Sequence, residues 1–168
     1  MLLKQTPSLN WRRALTFISQ LLGLSGEKSH SGPSGSLGSG GEKNIRVDRE
    51  IAPQEAAIVR WLLDNAYIPE AAPYRHVSAD SLRVLGEWTC CRSVDFTHDI
   101  AGASIISDAP VVYPDGQEAV VMLWARDGQV VALEVVDHTE ATAGRLPGLP
   151  DLRTWEQRGR ELANEGSA

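Results

Sequence analysis

The densest run of reactive side chains is Cys90-Cys91-Arg92-Ser93-Val94-Asp95-Phe96-Thr97-His98-Asp99. A thiol, an imidazole and carboxylates close together are the parts of a nucleophile, a general base and an orienting acid. On a strand, Val94, Phe96 and His98 point one way, while Cys91, Ser93, Asp95 and Thr97 point the other. A local dyad of Cys91 with His98 is therefore not expected. Cys90 has the parity of His98 but lies distant along the strand, and a long-range dyad through His76 or His138 stays open. Zinc sites space their thiolates, commonly as Cys-x2-4-Cys, so that both reach one ion. Adjacent cysteines on a strand face opposite ways, so no metal site is expected. The plain alternative makes one cysteine a small buried apolar residue and lets the other line a strand end.

Glu134 is the second unusual group. It lies in Gln129–Asp137, which meets Glu118–Arg126 across Asp127-Gly128. Asp-Gly between two β-rich runs signals a two-residue hairpin, because both turn residues tolerate positive φ. Regular pairing from that turn sets Trp124 against Val131, Met122 against Leu133 and Val121 against Glu134. Both hairpin faces are then apolar, and an ionised Glu134 needs a partner. Arg92, Arg126 and Arg83 are candidates for a bidentate pair. Cys91, His98, Asp95 and Glu134 are thus the residues on which any catalytic reading would rest. No cofactor is expected.

Other chemistries lack their patterns. Asp95, Asp99 and Asp108 do not form an Asp-x-Asp-x-Asp-Gly calcium loop. There is no Gly-x-Ser-x-Gly elbow and no His-Glu-x-x-His. Gly38-Ser39-Gly40-Gly41-Glu42-Lys43 has no Gly-Lys-Ser/Thr, and neither a preceding strand nor an immediate helix, so it is no phosphate loop.

Charge divides the 168 residues unevenly. Residues 1–45 carry five Lys/Arg against two Glu, whereas residues 46–168 carry eleven Arg and no Lys against twenty Asp/Glu. The second part, at −9, argues against nucleic-acid binding, which needs a basic surface to displace counterions. It suits a soluble protein or one that meets a basic partner. Two adjacent cysteines imply no disulfide framework and fit a reducing, cytoplasmic setting. The longest apolar stretch is too short to span a bilayer.

These residues must be positioned by four segments. Residues 1–24 hold a basic amphipathic helix over 8–24, with Trp11, Leu15, Ile18 and Leu22 on its apolar stripe. That stripe would pack on its own domain or a second copy, dock a partner, or touch a membrane surface. The segment also reads as an upstream extension, or as an export signal through Arg12-Arg13. Residues 25–45 are a Gly/Ser-rich linker spanning roughly 25 Å, from about 5–6 Å × √n. Residues 46–163 are the folded domain, and 164–168 a frayed tail. In that domain the spacing predicts a helix over 53–66, started by Pro53 and Glu55 and ended by Ile68-Pro69, with Val59, Leu62, Leu63 and Ala66 buried. Period-two runs predict strands at Leu82–Thr89, Ser93–His98, Ser104–Tyr113, Glu118–Arg126 and Gln129–Asp137. Asp151 would cap a last helix over Leu152–Leu162, with Trp155 and Leu162 inside. The expected fold is α+β: an N-terminal helix packed on an antiparallel β-meander of about five strands, then a short C-terminal helix.

Three stretches carry a resemblance: Arg49–Leu63 with its Pro-x-Glu helix opening, Cys91-Arg92-Ser93-Val94-Asp95-Phe96, and Ala125–Val135 with Asp-Gly followed by Leu-Glu-Val. Over about residues 46–150 the chain resembles an uncharacterised family of small bacterial α+β domains. Cys90-Cys91 stands where that family has a Cys flanked by Gly or Pro. The resemblance carries no activity. Small acidic α+β proteins of this kind are often standalone partners of bacterial toxins, an analogy at the level of fold.

The expected function is a non-catalytic protein-binding module, such as an immunity or regulatory protein, with a basic protein as partner and Trp11, Leu15, Ile18 and Leu22 as contact residues. The alternatives are a small enzyme using Cys91, His98, Asp95 and Glu134, and a structural protein that oligomerises through its first helix.

Overall fold

Pro53 opens helix α1 (Pro53–Asp64), and its first turn shows why the helix starts there. Glu55 accepts the free Ala52 N–H at 2.8 Å, and its carboxylate lies at the positive end of the helix dipole. Asn65 closes the other end, its amide donating to Trp61 O, so the helix ends at Asp64, two residues short of the predicted 66. Ile58, Val59, Leu62 and Leu63 are buried, each stabilising the fold by about 2 kcal/mol. The computed structural model describes residues 44–88, 91–137 and 144–166. The amphipathic segment with Trp11, Leu15, Ile18 and Leu22, nearly all of the linker, Cys90 and His138 lie outside the described residues.

The strands are β1 (Asn44–Glu50), β2 (Arg83–Trp88), β3 (Val94–Asp95), β4 (Ser104–Val112), β5 (Glu118–Arg126) and β6 (Gln129–Asp137). They form one antiparallel sheet in the order β1-β2-β3-β6-β5-β4. The fold is α+β, with three corrections. Six strands are present rather than five, and a strand, not a helix, is the first described element. β1 escaped notice because Asn44-Ile45-Arg46-Val47-Asp48-Arg49-Glu50 is mostly polar, a composition that suits an edge strand. Nor is the sheet a simple meander. The chain passes from β3 to the far edge at β4, and β4-β5-β6 then returns until β6 pairs with β3. The seam between the two halves is short: Val94 opposite Leu133 and Asp95 opposite Ala132, extended by Phe96 N–H to Val131 O and Val135 N–H to Ser93 Oγ.

One sheet face packs on α1. Leu123, Val121, Leu133, Val135, Ala109 and Val94 are buried in that core, and Ser107 Oγ donates to Leu62 O at 2.7 Å. Arg49 ties the helix start to the sheet, bridging Glu55 of α1 and Glu87 of β2.

The last helix, α2 (Trp155–Glu165), begins later than predicted. Thr154 caps it reciprocally: Thr154 Oγ1 accepts Gln157 N–H, and Gln157 Oε1 accepts Thr154 N–H. Asp151 instead accepts Gly148 N–H in a preceding 3-10 turn. Leu152 is bridged to Val111 at the β4 edge. Leu162 is 42% exposed rather than inside, and Arg158 is the buried residue of this helix.

Candidate functional site

The hairpin strands have the predicted limits, but their register does not. Asp127 (φ 50) and Gly128 (φ 80) both take positive φ, as a type I′ turn requires. Ala125 opposes Val130 as expected, and then Trp124 opposes Ala132. Val131 is therefore an inserted bulge residue, and every later residue of β6 changes face. Glu134 lies opposite Met122, not Val121. It thereby leaves the face under α1 for the opposite one, where Trp124 Nε1 donates to Glu134 Oε2 at 2.8 Å. The arginines expected to pair with it are engaged elsewhere: Arg92 with Gly144 O, Arg126 with Asp99 and Ala101 O, Arg83 with Asp48.

On this opposite face one transverse row crosses all six strands: Arg46, Gly86, Asp95, Ala132, Trp124, Ile105. In the adjacent row Asn44 opposes Trp88 on one side, and Glu134, Met122 and Asp108 follow one another on the other. Three indoles each donate to a carboxylate of this face. Trp88 Nε1 reaches both Asp95 oxygens at 3.2 and 3.3 Å, Trp124 holds Glu134, and Trp155 Nε1 reaches Asp108 Oδ1 at 2.8 Å. Burial pushes the Asp108 carboxyl above its ordinary value, against the lowering hydrogen bonds from Trp155 and Tyr67. The same burial, with the Asp108 charge, raises the Tyr67 hydroxyl.

A cleft of about 230 Å³ opens at the β1–β3 end of the row, lined by Asn44, Arg46, Gly86, Asp95, Thr97 and His98 among others. Asp95 is 5% exposed and also accepts a hydrogen bond from Asn44 Nδ2. The Asn44 amide and the Asp95 carboxylate close over Gly86 there. A Cβ on it would come within 2.6 Å of Asn44 Oδ1 and 3.0 Å of Asp95 Oδ2.

The four sequence-chosen residues are not all brought to one place. Asp95 and His98 share the cleft. Their common side differs from the alternation expected, because β3 ends at Asp95 and the chain then bends. Cys91 is half-buried and its thiol donates to Ser93 Oγ at 3.0 Å, which in turn accepts Val135 N–H. Glu134 stands diagonal to Asp95, two residues along β6 from Ala132. Sequence reasoning missed Asn44, Arg46 and Gly86, since β1 itself was missed, and Trp88 and Trp124 as carboxylate partners. Asp99 pairs with Arg126; the Ala101 N–H, then Arg126, hold its carboxyl below the ordinary value. Among the described residues no group of three His, Cys, Asp or Glu could hold a metal ion, and no helix is long and apolar enough to cross a membrane.

No protein-family model, curated protein or solved structure matches the chain.

Proposed function

We propose that this chain is a non-catalytic protein-binding module of the bacterial cytoplasm, of the immunity or regulatory kind, and that it docks a basic protein on the sheet face opposite α1. One arrangement supports the reading: Trp88, Trp124 and Trp155 gather on that face with each indole N–H fixed on a carboxylate. Tryptophan dominates binding hot spots, because it buries a large area with few torsions to freeze. An indole held by its N–H is already ordered before a partner arrives, which lowers the cost of binding. The three indoles are only partly buried, so each leaves some ring surface for Lys or Arg by cation–π attraction. The net −9 of residues 46–168 would draw such a partner in and reject acidic ones.

The test is capture from native lysate by full-length protein and by its Trp124→Ala variant, followed by affinity measurement at low and high salt. The reading expects a basic protein captured by the wild type, lost from the variant, and bound more weakly as salt rises. The same proteins on both baits, or an affinity indifferent to salt, would contradict it.

A further inference from the structure

Arg46 differs from most arginines of the folded domain. Eight of the eleven after residue 45 sit in ion pairs. Arg46 has none among the described residues, although twenty carboxylates share that stretch of chain. Such an arginine is permanently charged and offers a planar fork matched to a carboxylate. It lines the cleft over Gly86, with the exposed imidazole of His98 also on the wall.

The other pole of the cleft is Asp95. A carboxylate has about four acceptor sites. Asn44 occupies one on Oδ2, and the Trp88 indole spreads across both oxygens, which leaves acceptor capacity on Oδ1. Arg46 and Asp95 flank Gly86 in one row, their backbones two strand spacings or ~10 Å apart. They form no ion pair with each other. The cleft thus carries a cationic end and an anionic end, with the Asn44 amide lying over Gly86 between them.

We propose that this cleft binds a small zwitterion of the α-amino acid class. Arg46 takes the carboxylate, with His98 beside it, and Asp95 Oδ1 takes the ammonium. A simple anion would face the Asp95 carboxylate, and a simple cation would face Arg46. Only a ligand with both charges close together satisfies both ends. The cleft is below the ~300–1,000 Å³ of drug-sized pockets, which matches a ligand of a few heavy atoms. Gly86 lets Asn44 and Asp95 close over the backbone at the floor of the cleft, where a side chain would strike both. The assignment does not depend on the docking of a protein on the tryptophans.

The experiment is a titration of ¹⁵N-labelled full-length protein with glycine, following the Trp88 indole and Gly86 amide resonances. Parallel titrations use acetate and methylammonium. Glycine is expected to give saturable shifts, and each single-charge probe to bind at least about tenfold more weakly. Arg46→Gln, at an exposed position, and Asp95→Asn, which keeps an acceptor for Asn44 and Trp88, are each expected to weaken glycine by a similar factor. No saturable shift with glycine would overturn the proposal. So would acetate binding as well as glycine, or undiminished glycine binding by a folded Arg46→Gln variant.

Discussion

Trp124 and Glu134 meet across the β5–β6 hairpin, indole N–H to carboxylate at 2.8 Å, only because Val131 is an extra residue in β6. In a regular ladder that included Val131, Glu134 would sit among the apolar side chains under α1. The bulge moves the charge to the face where an indole donor waits, and it places Leu133 and Val135 in the core instead. Removing Val131 should therefore regularise the ladder and keep every later pair, with Ala132 opposite Trp124 and Glu134 opposite Met122. The expected cost is that of losing one buried valine and its local twist, ~1–3 kcal/mol, with the Trp124 indole N–H still on Glu134. Urea unfolding and the Trp124 indole resonance check this. An indole resonance that loses its hydrogen-bonded shift would show that the later register depends on the extra residue.

The hydrogen bond itself can be isolated. Trp124→Phe keeps an aromatic ring but removes the donor to Glu134. We expect a loss of ~1–2 kcal/mol in chemical denaturation. Glu134→Gln keeps an acceptor for the indole and should cost less than half as much. Equal costs would mean that ring area, not the hydrogen bond, sets the effect.

The limits of β5 and β6 were legible because Asp-Gly and the β-rich runs on either side are local signals. The register was not, since a bulge at Val131 looks like any other valine in a run of apolar residues. The first strand was hidden for the opposite reason: with only Ile45 and Val47 apolar, β1 lacks the hydrophobic face on which periodicity depends. Helix α1 was legible in its start and in the buried Val59, Leu62 and Leu63, whereas Ala66, expected in the same stripe, lies beyond the helix end and is only partly buried. The site was only half legible. Asp95 and His98 were chosen from their chemistry, but their shared cleft depends on the chain leaving the strand after Asp95. Their neighbours Asn44 and Arg46 come from about fifty residues away, through a pairing that composition does not reveal.

Asp108 gives a pH prediction with a definite sign. Burial raises its carboxyl in the folded state, so the folded form resists ionisation. The stabilising contribution is complete below the ordinary value of 3.8 and is lost as pH rises through the raised native value. Asp108→Asn carries no charge and still offers an oxygen to Trp155. It should equal or exceed the wild type in stability at neutral pH, with that advantage vanishing toward about pH 4. Urea unfolding of both proteins at the two pH values decides it. A variant less stable than wild type at neutral pH but not at acid pH would reverse the sign.

Gly86→Ala tests crowding at the cleft. The new methyl would lie 2.6 Å from Asn44 Oδ1, so Asn44 must leave Asp95 or the backbone must shift. We expect ~1–3 kcal/mol of destabilisation and a displaced Trp88 indole resonance. An unchanged resonance would show that the Asn44–Asp95 contact yields without cost.

Thr154→Ala removes half of the capping box of α2. The expected cost is ~1 kcal/mol, with weakened ordering of Trp155 over Asp108 read from its fluorescence. No change in either would mean that the contacts of Arg158 with Glu118, Glu161 and Glu165 hold the helix unaided.

Docking of a basic protein on the tryptophan-bearing face is the proposal from which the salt and variant effects follow. Its most direct test is the dissociation constant of the captured partner for three folded baits: wild type, Trp124→Ala, and Arg60→Ala on the exposed side of α1. The account predicts that Trp124→Ala weakens binding by about thirtyfold or more, the scale of a hot spot near 2 kcal/mol, while Arg60→Ala binds like the wild type. Equal affinities for wild type and Trp124→Ala, or a loss confined to Arg60→Ala, would contradict it.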